Sequence, residues 1–328
     1  MFFFSRFTKQ VDPIRRWMLQ HQAKMSLDFA TFMLTLESGG RSVTLHPRFA
    51  GEHAGRTAYF DYFSGESSFV GWLPYRLRRW ELATDKIEFK RIASARGLRV
   101  PAGWRGGSPL ADNYIVKPAR GSFGLGMRGP FGPLYPYDNP NPLGQPEFFE
   151  QFIVGSSAKA WFWNSTLVAL EVLTPPKLYG DGVRTLRQLA EDKRGNFDLK
   201  LALEPSADIF RWQGLTADSV AEKGREVLLD FRYATPYDRV TLKNRDVLSQ
   251  VSQSVRRQFE VAGRILHNEI DAEVRDNTAF TVDAVIDAED RVWFLEMNSH
   301  PMIHPAVYGP MLESLFEGVA LESAGARA

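Results

Sequence analysis

Two short stretches near residue 290 carry side chains whose types and spacing suit chemistry. Asp283 sits in Thr281-Val282-Asp283-Ala284-Val285-Ile286-Asp287, and Glu296 and Asn298 sit in Trp293-Phe294-Leu295-Glu296-Met297-Asn298. Both runs read as strands. Residues two apart on a strand share a face, so Glu296 and Asn298 point the same way. A tight turn at Glu289-Asp290 sets Asp283 opposite Glu296, and opposed side chains have Cβ atoms roughly 4.5–5.5 Å apart. Three oxygen-bearing side chains then converge. Hard oxygen donors in small number suit Mg²⁺, and the lack of His or Cys in the trio argues against zinc. The plainer alternative is a polar strand face laced by salt bridges. Burying Glu and Asn among Leu, Phe and Met then needs compensation.

A second constellation lies upstream. Tyr114-Ile115-Val116-Lys117-Pro118-Ala119-Arg120 leads into Gly121-Ser122-Phe123-Gly124-Leu125-Gly126-Met127, a strand feeding a glycine-rich loop. Glycines let backbone N–H groups approach phosphate oxygens, and Lys117 at the strand end can meet a phosphate as a point charge. The loop lacks the Gly-Lys-Ser/Thr ending of a Walker A loop and the order of a Rossmann fingerprint. By itself it reads equally as an ordinary flexible turn.

The elements that must position these residues follow from periodicity. Thr84–Leu98 reads as a helix with Ile87, Ile92 and Ala95 on one side and Gly97 as its stop. Phe148–Val154 and Ala158–Val172 read as strands around a turn. Trp161-Phe162-Trp163 follows strand alternation and reads as core. Residues 184–193 give a short helix, and Val227–Tyr233 gives a strand. From Asp246 to Asn268, Val247, Val251, Val255, Phe259, Ala262 and Leu266 recur at helical spacing, the stripe of a core-facing helix. Residues 129–146 read as a long surface loop, and 195–225 as an irregular excursion. Over residues 1–80 the signals are weaker. Met1-Phe2-Phe3-Phe4-Ser5-Arg6-Phe7 reads as a buried first strand or an interface arm, Asp12-Pro13 as a helix start, and Tyr75–Trp80 as a basic, solvated helix face. The tail from Ala320 is expected to fray.

Composition bounds the function. At 328 residues the chain has room for about two domains. With 40 Lys and Arg against 39 Asp and Glu, nothing favours a mainly nucleic-acid-binding protein. The absence of Cys excludes thiolate metal sites, disulfides and a cysteine nucleophile. No apolar run is long enough to span a bilayer, and the N-terminus lacks the layout of a signal peptide. A cytoplasmic protein with no membrane partner is the expectation.

Taken together, the motifs resemble the ATP-grasp superfamily, specifically its carboxylate–amine (amino acid or peptide) ligases, over about residues 84–312. Asp85-Lys86-Ile87-Glu88-Phe89-Lys90, followed by Gly97-Leu98-Arg99-Val100-Pro101, is similar to the helix that precedes the family's lid. The resemblance makes Lys86 the first phosphate-binding lysine, with Lys90 as runner-up, and Lys117 the second. It makes Gly121, Ser122, Phe123, Gly124 and Gly126 the lid over the phosphates. Glu150, Gln151, Phe152 and Ile153 become the hinge that holds adenine, and Asp283, Glu296 and Asn298 the metal trio. Thr174–Gly182 with the following helix, and Asn298-Ser299-His300-Pro301-Met302-Ile303-His304-Pro305, are similar to the ligase domains of cyanophycin synthetase and bifunctional glutathione synthetase.

The resemblance implies an α/β (α+β) ATP-grasp fold: a small N-terminal α/β domain over 1–83, a lid subdomain over 84–150, and a C-terminal mixed-sheet subdomain with the metal site over 151–328. It implies an ADP-forming ligase that activates a carboxylate as an acyl phosphate and joins it to an amine, with ATP and Mg²⁺, or Mn²⁺ in its place, as cofactors. Small-molecule or peptide acids and amines are the implied partners. A homodimer is left open. Three departures stand out. Ser157 falls where a ribose-binding acid is expected, Thr281 where an arginine should stabilise the transferring phosphoryl group, and Met302 where a glycine follows Pro301. Arg275, Lys177 and Arg245 are the candidate replacements for that arginine, with Arg275 favoured. His300 is the candidate proton acceptor for the amine, with a structural role as its alternative. A phosphotransferase and an ATP-binding module without turnover are the competing readings.

Overall fold

The computed structural model describes residues 2–53, 56–65, 67–106, 109–121, 126–138, 147–192, 203–233, 235, 237 and 245–317, and for residues 2–6, 53, 56 and 57 the backbone alone. It is a mixed α/β fold with several antiparallel sheets. Helix α1 (Phe2–His21) precedes strands β1 (Lys24–Leu27), β2 (Leu34–Ser38), β3 (Arg41–His53), β4 (Arg56–Phe60) and β5 (Ser68–Leu73). These strands form one antiparallel sheet in the order β1-β2-β3-β4, with β5 also paired to β3. Next come α2 (Lys86–Ala95), β6 (Gly103–Trp104), β7 (Tyr114–Pro118), β8 (Arg128–Phe131) and β9 (Glu147–Gln151), whose four strands pair as β6-β9-β7-β8. Strands β10 (Ser156–Trp163) and β11 (Thr166–Leu173) lead to the antiparallel pair of β12 (Lys177–Tyr179) and β13 (Glu226–Leu228), between which lie α3 (Leu186–Glu191) and α4 (Ala207–Trp212). Helices α5 (Gln253–Asn268) and α6 (Ala272–Arg275), strands β14 (Ala279–Ile286) and β15 (Val292–Asn298), and α7 (Tyr308–Leu315) complete the chain. The central sheet runs β11-β10-β14-β15.

Alternation along β10 explains how the molecule is layered. Phe162 points to one side, into a core with Ala160, Val282 and Met297 of the sheet and Phe259, Ala262 and Leu266 of α5. Gly263 of α5 is required there, because a Cβ would lie 2.4 Å from the Phe162 ring. Trp161 and Trp163 point to the other side, into the core that α1, β2, β3, β5 and α7 share. The N-terminal sheet is therefore closed by the central sheet and α7. Gly71 of β5 sits at that seam with φ +126°, and a Cβ would lie 2.6 Å from Ile303.

Local chemistry shifts several boundaries from the sequence expectation. Pro13 lies inside α1, which replaces both the expected first strand and the helix start at Asp12. The helix persists because Val11, Ile14, Trp17 and Met18 bury one face, which offsets the hydrogen bond that Pro13 cannot donate. Helix α2 begins where the Asp85 carboxylate accepts from the N–H groups of Ile87 and Glu88, and it buries Phe89, Lys90 and Ala93 rather than Ala95, which is exposed. Helix α5 starts at Gln253, not Asp246, because Asp246 bridges to Glu171 and its carboxylate accepts from Leu170 and Leu248 N–H. The expected strand over Val227–Tyr233 shortens to β13. Gly129–Phe131, the start of the stretch expected as a surface loop, belongs to β8. The tail from Ala320 and residues 139–146 lie outside the described residues.

Candidate active site

The register of the central sheet aligns four charged residues across four strands. Glu171 of β11 is opposite Lys159 of β10, Lys159 is opposite Asp283 of β14, and Asp283 is opposite Glu296 of β15. The row faces a cleft of about 2230 Å³ that all four residues line. Lys159 Nζ is 2.5 Å from Asp283 Oδ1, and Lys86 Nζ, brought by the first turn of α2, is 2.8 Å from Glu296 Oε2. Asn298 Nδ2 donates to Asp283 Oδ2 at 3.2 Å. Tyr233 OH donates to Glu171, and burial beside that acid pushes its pKa up. Burial and the Glu296 charge raise Asp283 against the pull of Lys159. Glu296 itself, despite its burial, is held low by Lys86 and Lys117. Asp283 and Glu296 thus repel each other across one strand pair.

Above this row the β6-β9-β7-β8 sheet supplies a second ionic cluster. Glu150 of β9 is almost fully buried and pairs with Lys117 of β7 at 2.7 Å and with Lys90 of α2. Burial lowers Lys90 to about 8. Burial alone would raise Glu150, but Lys117 and Lys90 together hold it below its ordinary value. One carboxylate between two ammonium groups leaves one positive charge, with Lys117 on the cleft surface and Lys90 behind it. Lys86 Nζ also donates to Gly121 O at 2.6 Å, so the start of the glycine loop is tied to the acid row. Gly121 and Gly126 both have positive φ. Ser122, Phe123 and Gly124 lie outside the described residues.

The hinge follows β9. Gln151 donates its N–H to Ala102 O and accepts from Ala102 N–H through its side chain. Phe152 is buried edge-on against Trp212 and Phe231, and Ile153 lines the cleft. Ser157 donates to Phe231 O at 2.9 Å. Beside it Arg232 lines the cleft, its guanidinium fixed by the buried Asp230 carboxylate.

At the opposite end the sheet face continues from the charged row to Trp161, Thr281 and Asn298. Thr281 is 1% exposed and its hydroxyl has no hydrogen-bond partner among the described residues. His300 lies beside Tyr59, with ring centroids 6.0 Å apart. Burial and the Arg79 and Arg48 charges lower it to about 4 against the Arg78 carbonyl, so it is neutral at neutral pH. Burial, with Asp283 nearby, raises Tyr59 to about 12.

Among the residues singled out by sequence, Lys86, Lys117, Gly121, Gly126, Glu150, Gln151, Phe152, Ile153, Ser157, Asp283, Glu296, Asn298 and His300 line one cleft. Arg275 does not join them. It sits on α6, before β14 begins, and its Nε donates to Ile270 O at 3.0 Å. Lys177 pairs with Glu226 across β12 and β13, whereas Arg245 does line the cleft. Sequence reasoning missed Lys159, Glu171, Arg232 and Tyr233. A polar residue inside the apolar β10 run was the only local signal for Lys159.

Two carboxylates and an amide oxygen are hard donors, and the repulsion between Asp283 and Glu296 is what a divalent cation relieves, so the trio fits Mg²⁺. Among the described residues no group of three or more His, Asp or Glu has the arrangement of a metal site, so Asn298 is needed to complete this one.

No protein-family profile and no curated protein matches the chain. Solved structures do. A bifunctional glutathione synthetase from Pasteurella multocida aligns at 16% identity and a TM-score of 0.45 over 95% of this chain and 46% of its own. VanG D-Ala:D-Ser ligase from Enterococcus faecalis aligns at 11% and 0.38 over 73% and 62%, and a D-alanine–D-alanine ligase from Bacillus anthracis at 12% and 0.38 over 74% and 70%. The chain thus spans about half the length of the first of these. Among the described residues no helix is long and apolar enough to cross a membrane.

Proposed function

We propose that the chain is an ATP-dependent, ADP-forming ligase that joins a carboxylate to an amine through an acyl phosphate. The observation that carries this reading is the meeting, in one cleft, of Lys86 and Lys117 with the facing acids Asp283 and Glu296. Transfer of a phosphoryl group needs positioning and charge neutralisation more than a protein nucleophile, and this cleft is built of fixed charges. Lys117 and Lys86 hold the phosphates. Gln151, Phe152 and Ile153 bound the adenine, and Arg232 takes the ribose side, where Ser157 offers only a hydroxyl already used. Asp283, Glu296 and Asn298 hold Mg²⁺, which supplies charge neutralisation at the transferring group.

Thr281 leaves the site without the arginine expected there. Lys159, one strand over and fixed by Asp283, supplies the missing cation. The incoming acid lies over Trp161 and Thr281, whose buried hydroxyl donates to it. Neutral His300 accepts a hydrogen bond from the incoming amine; held at about 4, it is too weak a base to keep the proton that the amine sheds, which passes to solvent. The glycine loop, tied to Lys86 through Gly121, keeps water from the activated acid.

Incubating the protein with ATP, Mg²⁺ and pooled amino acids, peptides and small carboxylic acids tests this reading. ADP and phosphate forming only when an acid and an amine are both present is the expected result. AMP and pyrophosphate would mean adenylation. ADP with a stable phosphorylated product and no amine requirement would mean a phosphotransferase.

A further inference from the structure

The cleft does not end at Thr281 and His300. Beyond them it continues as a groove with one stripe of α1 as a wall: Lys9, Asp12, Pro13, Arg16, Trp17 and Gln20 recur at helical spacing and all line it. The segment from His300 to Glu313 packs beside α1 and shares that lining, with Gln10 Nε2 donating to Ile303 O and Trp17 Nε1 to Glu313, both at 2.9 Å. The eleven helical steps from Lys9 to Gln20, at 1.5 Å each, make this wall about 17 Å long, the span of about five extended residues. Ligand pockets ordinarily hold about 300–1,000 Å³. A cleft of about 2230 Å³ thus leaves room for a second long ligand beside a nucleotide.

The charges of this groove differ from those of the rest of the cleft. Lys9, Arg16 and Arg79 line it exposed, and none forms an ion pair or hydrogen bond among the described residues. Two acids line it as well: Asp12, and Glu313, which accepts from Trp17 Nε1 at 2.9 Å and lies 3.3 Å from His21 Nε2. The charges of Lys9 and Arg79 reach inward to His304 and His300 respectively. Three exposed cations against two acids leave this stretch of the cleft net positive, and cations spaced along one wall are complementary to carboxylates carried on a chain.

We infer that one substrate is a peptide of about five residues or more bearing carboxylate side chains, laid along α1 from Lys9 to Gln20, with its reacting end at Thr281 and His300. The inference rests on the ligase reading for the identity of that reacting end. A free amino acid fills only the inner end of such a groove and leaves the α1 cations without partners.

The test measures binding by fluorescence anisotropy of labelled five-residue glutamate peptide, five-residue glutamine peptide, two-residue glutamate peptide and a five-nucleotide thymidine strand. ATP affinity and melting temperature are read in parallel. The five-residue glutamate peptide is expected to bind at least tenfold more tightly than the other three. The double variant Lys9→Ala, Arg16→Ala is expected to lose that advantage at unchanged melting temperature. Equal binding of glutamate and glutamine peptides, equal binding of the nucleotide strand, or an unaffected double variant overturns the proposal. Preferential glutamate-peptide binding by a chain that does not bind ATP upholds the groove and overturns the ligase reading, so the two failures are separable.

Discussion

The two ends of the cleft handle charge in opposite ways. At the inner end every ammonium group meets a carboxylate: Lys86 with Glu296, Lys159 with Asp283, and Lys90 and Lys117 with Glu150. At the α1 end Lys9, Arg16 and Arg79 meet none among the described residues. Buried charges must be paired, because desolvation costs several kcal/mol per ion. Exposed ones need not be, because water solvates them. The inner end is therefore a fixed electrostatic frame, suited to phosphoryl groups whose geometry never varies. The outer end is a set of uncommitted charges, suited to a partner that arrives and leaves.

Breaking the inner frame has the largest expected effect. Glu296→Ala removes one acid of the facing pair and releases Lys86. ADP formation should fall at least about 10³-fold, roughly 4 kcal/mol of transition-state stabilisation, with circular dichroism unchanged. Glu150→Gln leaves Lys90 and Lys117 as buried cations without a counter-charge, which costs about 3 kcal/mol or more. The urea midpoint measures this, and a midpoint equal to the parent's would show that the pair of lysines is solvated. Lys159→Met should lower kcat about 10²-fold with little change in KM for ATP, and Lys159→Arg should recover most of it.

The outer end gives the smallest effect and concerns stability against pH. Burial lowers the His304 pKa below its ordinary 6.5, and its Nδ1 accepts from Ala306 N–H at 3.2 Å, a bond that only the unprotonated nitrogen makes. The unfolded chain therefore binds the proton at a higher pH than the folded one, so stability falls as pH drops below about 6.5. His304→Asn, which keeps an acceptor, should lessen the dependence of the thermal midpoint on pH between about 5 and 6.5, the rest coming from His300, His46 and His267, which burial also lowers.

This contrast also marks what the sequence could convey. Asp283 opposite Glu296 was legible because strand alternation and a turn at Glu289-Asp290 fix that register locally. Lys117 was legible at a strand end before the glycine loop, whereas Lys86, with Lys90 as runner-up, came only from the family resemblance. Lys159 and Glu171 were not legible, since their row depends on which strands pair across β11-β10-β14, a tertiary fact. Arg275 misled for the mirror-image reason: eight residues from Asp283 in sequence, it is carried off by α6. Helix α1 was hidden by Pro13, which reads as a helix start and is tolerated in mid-helix because Ile14 and Trp17 are buried in the core that α1 shares with β2, β3, β5 and α7. With α1 unread, the groove it lines was invisible.

The most direct measurement of the central claim follows an isotope. A carboxylic acid substrate labelled with ¹⁸O in both carboxyl oxygens is turned over with ATP and the amine, and the phosphorus products are weighed. Passage through an acyl phosphate transfers one labelled oxygen to inorganic phosphate, and that is the result expected. Label in AMP, or phosphate released without label, would contradict it.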